Sequence, residues 1–303
     1  MSSTYLKILA LIFMTIDHIG AMIPGMPICF RWIGRLSAPI FLFCVIEGMQ
    51  KTNNRKRFWL RMYLCSIGMA VMNTIINYLM PEQPVLEDDI FFVYVSIMSY
   101  VFILEWSLNK FHSIKRGIFL IVAWQLIGEL ILLAVGFSVI GNTAIYNSLI
   151  RVILGCCSSW GENTVFVILG VLLYWTRDNK KSFFLIYILM SFVPSLLRQT
   201  AILEKSVGYF LRMLEYKVGM PEIIIFILEY ILVLLFSLLG VGENIIRNYA
   251  IDDIWMINYQ WMMIAAISFF LLYNGKRGKG FKFFFYLYYP LHILLLAFIR
   301  LLF

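Results

Sequence analysis

The sequence predicts an all-α membrane protein, a polytopic bundle of about ten transmembrane helices with a cytoplasmic N-terminus, formed by one integral-membrane domain over residues 1–303. Two observations predict this class. Hydrophobic residues make up 62% of the chain and charged residues only 14%, whereas about a quarter of a soluble domain is charged. Apolar runs of about 20 residues, long enough to cross a bilayer, also recur along the whole length.

The predicted spans follow these apolar runs in order. The first run resembles a secretory signal in length, but Asp17 and His18 interrupt it and no small-residue cleavage pattern follows. We therefore expect it to be retained as a span. The predicted spans are 6–23, 30–50, 58–80, 90–109, 117–139, 162–176, 183–197, 222–240, 255–273 and 283–302.

Basic loops set the predicted orientation, because short loops rich in Lys and Arg stay on the cytoplasmic side. Such clusters occupy 51–61, 110–116 and 177–181, whereas the acidic loop 81–89 is expected outside. This alternation places the N-terminus inside.

The second half of the chain is less consistent. The basic stretch 274–282 should be cytoplasmic, but a simple count of the spans places it outside. A partial or full crossing by 145–157, or by 201–217, would restore the parity. The sequence leaves both possibilities open.

Charge and cysteine content exclude several kinds of site. The five cysteines are odd in number and form no C-x-x-C pattern, so we expect neither a disulfide framework nor a metal site. The net charge of +8 is explained by the cytoplasmic loops, which attract anionic membrane lipids. No nucleic-acid partner is needed to account for it.

The first span carries the strongest chemical signal. A titratable side chain at the centre of a membrane helix costs on the order of 3 kcal/mol, so such residues mark a cavity, a proton path or a reaction site. Lys7 and His18 are eleven positions apart, which places them on one helix face roughly 16 Å apart. We predict His18 as a catalytic base and Asp17 as the group that orients it. An inert histidine satisfied by another helix is the alternative.

The second span opens with two arginines, Arg31 and Arg35, on one helix face. Pro39 cannot bond the carbonyl of Arg35, so a kink is expected there. We predict that both arginines bind the substrate, although an external pair reaching toward water is the alternative. Glu47 is a further substrate-binding candidate, and pairing with Lys51 one turn later is its simpler explanation.

Two candidates lie near the C-terminus. Tyr289 and His292 are predicted to contact the substrate, although Tyr289 also fits an interfacial aromatic belt and His292 fits packing at the start of the span. The preceding loop is loosened by glycine and is cationic, so it could wrap phosphates, but it matches no nucleotide-binding pattern. The candidate residues in this loop are Asn274, Lys276, Arg277 and Lys279.

Taken together, these stretches resemble the TraX family of membrane proteins. The resemblance runs through LKILALIFMTIDHIG (6–20), the arginine-containing stretch 31–61 and the C-terminal stretch 259–296. The middle, roughly 81–250, agrees only in hydropathy. The chain is also distantly similar to the wider transmembrane acyltransferases, in which a basic residue, ten positions and a His mark the active site of the first span.

The resemblance implies acyl transfer at the inner membrane of a bacterial-type cell. The family's named member is associated with N-terminal acetylation of a conjugative pilin. By analogy, acetyl-CoA is the donor, Lys7 and the 274–279 loop hold its phosphates, and a peptide or glycan is the acceptor. The acceptor, the acyl chain, the oligomeric state and the choice between direct transfer and an acyl-histidine stay open. A transporter or flippase that uses the same polar residues, or a non-catalytic assembly partner, are the alternatives.

Overall fold

The computed structural model describes residues 1–79, 89–138, 143–155, 162–200, 202–225, 228 and 259–300. All regular secondary structure in these ranges is helical. The elements are α1 (Ser3–Met22), α2 (Cys29–Gly34), α3 (Ser37–Lys51), α4 (Arg55–Leu79), α5 (Ile90–Phe111), α6 (Ile114–Ser138), α7 (Thr143–Leu154), α8 (Glu162–Thr176), α9 (Lys180–Thr200), α10 (Ile202–Val218), a 3₁₀ helix (Gln260–Ala266), α11 (Ile267–Leu271) and α12 (Lys282–Arg300).

Several of these helices have the length and composition of membrane spans. Each of these apolar helices coincides with a predicted span. The predicted span 222–240 lies almost wholly outside the described residues. The total of ten spans and the cytoplasmic N-terminus stay predictions. Within the described ranges, five stretches are long and apolar enough to cross a bilayer, namely Ser3–Met22, Cys29–Lys51, Arg55–Leu79, Ile90–Phe111 and Phe283–Arg300.

The sequence left open the depth of two segments, 145–157 and 201–217. Their described residues lie largely in α7 and α10. The end of α7 shows how a short helix is completed. The hydroxyl of Tyr63 and the indole N–H of Trp124 donate to its last carbonyls at 3.1 and 3.0 Å. Because the final carbonyls of a helix have no partner within it, these two donors from α4 and α6 let α7 stop against its neighbours.

The predicted second span is two helices rather than one kinked helix. Helix α2 ends at Gly34 and α3 begins at Ser37, so the interruption lies one turn before Pro39. Pro39 instead occupies the first turn of α3, where its missing N–H costs nothing because that group has no helical partner. The interruption expected from Pro39 and the Arg35 carbonyl is therefore present, but as a break at Arg35 and Leu36 between two helices rather than as a kink within one.

The basic loop before α12 lies on the same side of the bundle as the N-terminus. The first two N–H groups of α1, those of Ser3 and Thr4, donate to the carbonyls of Lys276 and Arg277 at 2.9 and 3.2 Å. The loop thereby satisfies helix-end donors that would otherwise lack partners. The charge rule placed the loop on the same side as the N-terminus, as observed, and the simple span count that placed it opposite is wrong. That this side is cytoplasmic stays a prediction.

Helix α1 is central to the packing. It contacts α2 and α3 on one side and α12 on another, and α3 in turn contacts α5 and α8. Fully buried side chains such as Leu6, Ile40 and Met98 fill these interfaces. Because lipid tails are as apolar as these residues, close packing and polar contacts hold membrane helices together more than the hydrophobic effect does.

A polar network joins three helices at the end of the bundle that carries Arg55. Its guanidinium lies 3.0 Å from the carboxylate of Glu105 in α5 and donates to the hydroxyl of Tyr174 in α8 at 3.1 Å. Tyr174 also donates to Glu105 at 2.7 Å. Each member therefore contacts the other two, and the network fixes α4, α5 and α8 relative to one another.

The described cysteines are not bonded to one another. Cys29, Cys44 and Cys65 are free thiols, and the adjacent pair 156–157 lies outside the described residues. The prediction that no disulfide framework supports the fold thus holds for the three thiols that the structure describes.

Candidate active site

His18 of α1 and His292 of α12 form a hydrogen-bonded pair. Nδ1 of His18 lies 2.6 Å from Nε2 of His292, and the two rings stack with centroids 4.9 Å apart. His292 is only 6% exposed, whereas His18 is half-buried. The two residues are 274 positions apart in the chain, so only the fold brings them together. His292 is therefore a partner of His18 rather than a packing group.

Two tyrosines of α12 surround the histidine pair. Tyr288 stacks on His292 with centroids 5.4 Å apart, and its backbone carbonyl lies 2.9 Å from Nδ1 of His292. The Tyr289 ring lies 6.2 Å from His18 and 5.5 Å from His292. Tyr289 is buried, so its ring packs inside the bundle next to both histidines rather than on a lipid-facing surface.

The Tyr288 hydroxyl fixes α12 against α1. It lies 2.8 Å from Oγ1 of Thr15, which itself donates to the carbonyl of Leu11 at 2.8 Å. Since the threonine proton is used in that second bond, the phenol donates to threonine. This contact lies one helical turn before His18, so it holds the two histidine-bearing helices in register.

Asp17 and the two arginines form an ion cluster next to His18 in sequence. The Asp17 carboxylate lies 2.9 Å from Nη1 of Arg31 and 3.8 Å from Nη2 of Arg35. Arg31 also donates to the Asp17 backbone carbonyl at 3.1 Å. Each of these side chains is less than one fifth exposed, so the arginines are not an external pair reaching toward water.

This cluster corrects the role predicted for Asp17. Nδ1 of His18 is held by His292, while the Asp17 carboxylate faces Arg31 and Arg35. Asp17 is thus the counter-ion of the arginines rather than the orienting group of the histidine. The imidazole of His292 fills the orienting position because α12 packs against this face of α1.

Tyr259, just before the 3₁₀ helix, covers the arginine pair. Its hydroxyl accepts from Nε of Arg31 at 3.1 Å, and its ring lies 4.9 Å from the Arg35 guanidinium carbon. Both contacts are favourable for a cation, since the phenol oxygen and the ring face are electron-rich. No residue pattern around this tyrosine singled it out beforehand.

The cationic loop presents its charges outward. Its backbone carbonyls face α1, and Thr4 Oγ1 donates to the carbonyls of Arg277 and Lys279 at 2.9 and 2.6 Å. The side chains of Lys276, Arg277 and Lys279 are consequently exposed. Gly278 has a φ of 78° and lies against Thr4, so a side chain at this position would push the loop from the helix.

Two further residues predicted to hold the cofactor differ in their surroundings. Lys7 lies one turn into α1 with its ammonium 5.6 Å from the centroid of the Phe285 ring. The Asn274 side chain accepts from the backbone N–H of Lys276 at 3.1 Å. Asn274 therefore shapes the loop, whereas Lys7 contributes charge close to it.

Glu47 was predicted to bind the substrate, but it lies beside the cationic loop instead. Its carboxylate is 2.6 Å from the ammonium of Lys51, which also donates to the Tyr273 hydroxyl and the Gly275 carbonyl, both at 2.9 Å. The ammonium group has only donors, so the phenol oxygen and the carbonyl both accept from it. The simpler explanation, pairing with Lys51, is correct.

The predicted residues thus divide into two groups along α1. One group surrounds His18 and contains Asp17, the arginines, Tyr289 and His292. The other surrounds the N-terminal end of α1 and contains Lys7 and the cationic loop. Lys7 and His18, eleven positions apart, mark the two groups at a separation of roughly 16 Å along the axis. A long donor that is anionic at one end could bridge such a distance.

No group of three or more metal-binding side chains occurs within the described ranges.

A comparison with protein families supports the resemblance read from the sequence. The family model described as TraX protein matches residues 2–106, which include His18, the arginine pair and the basic loop after α3. The N-terminal third of the chain is therefore similar to TraX proteins. No curated protein and no solved structure matches the chain.

Proposed function

We propose that the protein is an integral-membrane acyltransferase that moves an acetyl group from cytoplasmic acetyl-CoA to a peptide or glycan acceptor. The observation that carries this proposal is the His18–His292 pair, with 2.6 Å between ring nitrogens, on the helix α1 whose N-terminal end binds an exposed cationic loop. Ionisable groups are costly inside a membrane span and by default mark a functional site, and here two of them meet on facing helices.

His18 is the general base in this proposal. Its ring removes the proton of the acceptor's hydroxyl or amine while that oxygen or nitrogen attacks the thioester carbonyl. The tetrahedral intermediate then collapses with cleavage of the carbon–sulfur bond. The proton on His18 passes to the leaving sulfur, so the products are acetylated acceptor and CoA with a free thiol.

The arginine cluster supplies positive charge on the same side of α1. Arg31 is held firmly by the carboxylate and carbonyl of Asp17, and Arg35 lies farther from the carboxylate at 3.8 Å. We assign Arg35 to the substrate or to the oxyanion of the intermediate, and Arg31 to holding that arrangement. Preorganised cations of this kind stabilise charge that develops in the transition state.

The cationic loop and Lys7 hold the CoA phosphates. Lys276, Arg277 and Lys279 point outward because the loop uses its backbone carbonyls to bind α1. Phosphates bound there would direct the pantetheine arm and its thioester along the helix toward His18. Membrane lipids surround the bundle, and no nucleic acid takes part.

The similarity to TraX proteins supports a bacterial inner-membrane location and a peptide acceptor such as a pilin N-terminus. A glycan acceptor remains within the same chemistry, because the base can activate a hydroxyl as well as an amine.

Mass spectrometry of the host's peptides and envelope glycans, with and without the protein, tests this proposal. We expect an acetyl mark that is present with the wild type and lost with His18→Ala, but retained with His112→Ala. His112, the residue that caps the C-terminal end of α5, lies in a different part of the chain and serves as the matched control. Purified protein should also release CoA from acetyl-CoA when envelope extract supplies the acceptor, which we call the CoA-release assay. A protein that binds no acetyl-CoA and leaves every acetyl mark unchanged would overturn the proposal.

A transporter or flippase is the second candidate. The observation that favours it is the interruption between α2 and α3 beside buried charges, since broken helices line the substrate paths of many transporters. Uptake of a substrate into protein-containing liposomes without any acyl donor would decide for it.

A further inference from the structure

We propose that His292 is a positioning residue that fixes the tautomer of His18, leaving Nε2 of His18 as the unprotonated nitrogen that faces the substrate. The catalytic meaning of this inference rests on the proposed function, but the tautomer can be measured without any activity. Each step follows from which atoms can donate and which can only accept.

The first step concerns His292 and the backbone. Nδ1 of His292 lies 2.9 Å from the carbonyl oxygen of Tyr288. A carbonyl oxygen has no proton and only accepts, so Nδ1 of His292 carries the hydrogen. The ring of Tyr288 stacked on His292 keeps the imidazole in the plane that this bond requires.

The second step passes this assignment to His18. A neutral imidazole protonated at Nδ1 has a bare Nε2 that can only accept. Since Nε2 of His292 lies 2.6 Å from Nδ1 of His18, the hydrogen between them belongs to His18. One hydrogen on Nδ1 leaves Nε2 of neutral His18 with its lone pair available.

The opposite arrangement would require a charged His292. A doubly protonated His292 would donate from Nε2 and force the His18 hydrogen onto its own Nε2, where it could not act as a base. That charge would be buried at 6% exposure, against the ring of Tyr289. An unpaired charge in such surroundings is strongly disfavoured, so the neutral pair is the ground state.

The same hydrogen bond changes character during acyl transfer. When Nε2 of His18 takes the acceptor's proton, the ring becomes cationic and its Nδ1–H donates to His292 in a charge-assisted bond. Such bonds are roughly twice as strong as neutral ones. His292 thus stabilises the charged intermediate state without contacting the substrate, and the proton later leaves from Nε2 of His18 to the CoA sulfur.

Two substitutions separate this role from packing. His292→Gln places an amide oxygen near the position of Nε2, so it can still accept from His18. His292→Leu fills the space but cannot accept. The chain has three histidines, so ¹⁵N spectra of histidine-labelled protein in nanodiscs, with His112→Gln for assignment, distinguish the tautomers directly.

The expected spectrum of wild type shows His18 protonated at Nδ1 and bare at Nε2. His292→Gln should retain that signature and most of the rate in the CoA-release assay. His292→Leu should give a mixture of tautomers and lower kcat by on the order of 10²-fold, with little change in KM. Unchanged helical content and thermal unfolding would show that both variants are folded.

Several results would overturn the inference. A hydrogen on Nε2 of His18 in the wild type would refute the tautomer, as would a folded His292→Leu protein with the wild-type signature and rate. Failure of the glutamine variant to recover the rate would show that shape, rather than hydrogen-bond acceptance, matters. The expected tautomers together with no CoA release by any variant would confirm the structural relationship and refute the proposed function.

Discussion

Gly34 of α2 lies so close to Asp17 of α1 that a methyl group at position 34 would overlap the aspartate side chain. Gly20 makes the complementary approach, where an added Cβ would come within 2.7 Å of the Cβ of Phe30. The two helices therefore meet at glycines, as is common where membrane helices pack closely. This close approach is what brings the Asp17 carboxylate within reach of Arg31.

Gly34→Ala should separate α1 from α2 and weaken the ion cluster. Forcing a methyl group into a filled contact costs about 1–3 kcal/mol, and Asp17 must move away from Arg31 and Arg35. We expect a lower midpoint of thermal unfolding in nanodiscs and a lower rate in the CoA-release assay.

Gly68→Ala is the matched control for this substitution. Gly68 also lies inside a helix, but nothing lies within 4 Å of a Cβ added there. Replacing a helical glycine by alanine in open space stabilises by up to about 1 kcal/mol. Equal effects of the two substitutions would contradict the role assigned to Gly34.

Tyr259→Phe should show how much the hydroxyl contributes to the arginine pair. The substitution removes the acceptor of the Arg31 bond at 3.1 Å but keeps the ring 4.9 Å from the Arg35 guanidinium. We expect a loss of about 1–2 kcal/mol in unfolding free energy, because a bond to a charged group is lost. Tyr259→Ala should lose more, since the cation–π contact also disappears.

An exposed tyrosine supplies the control for the Tyr259 measurement. Tyr209 is 75% exposed, and its replacement by Phe should leave thermal unfolding unchanged. A Tyr259→Phe protein that unfolds at the wild-type temperature would show that the hydroxyl bond contributes nothing.

Local sequence was sufficient to predict the helical class and several of the spans. Apolar runs gave α1, α4, α5 and α12 nearly as observed, because hydropathy and length fix a membrane helix locally. The charge of the loop around Lys276 also predicted its side of the bundle better than counting spans did.

Long-range pairing explains why parts of the site were not predicted. His18 meets His292 only because α1 packs against α12. The Asp17 carboxylate pairs with the arginines because Gly34 lets α2 approach α1 closely. Neither fact is visible in the spacing of residues along one helix. Tyr259 was missed for the same reason, since a tyrosine in an apolar stretch carries no sign of the cation that it will contact.

Glu105→Gln should loosen the network that joins α4, α5 and α8. The substitution removes the charge facing Arg55 at 3.0 Å and keeps the size of the side chain. Since the two side chains are 31% and 30% exposed, water screens the pair, and we expect a loss of only about 1 kcal/mol. A double-mutant cycle with Tyr174→Phe should show coupling, because Tyr174 contacts both charges.

Asp178→Asn is the corresponding control for this ion pair. Asp178 lies 3.8 Å from Arg177 but is 88% exposed, so its removal should not change thermal unfolding. A loss equal to that of Glu105→Gln would mean that net charge, rather than the network, sets the stability.

Removing charge from the loop should weaken acetyl-CoA binding without slowing the chemical step. In Lys276→Gln/Lys279→Gln the two exposed ammonium groups are lost, while the loop keeps the backbone bonds to α1. We expect KM for acetyl-CoA to rise about 3- to 10-fold at low salt, with kcat nearly unchanged. The difference from wild type should shrink as ionic strength rises.

The control variant Lys180→Gln/Lys181→Gln removes the same charge from another exposed position and should leave KM at the wild-type value. Because the loop binds α1 at Thr4, about 21 Å along the helix axis from His18, an effect confined to kcat would be inconsistent with phosphate binding. An equal rise in KM for both double variants would indicate general attraction by a basic surface.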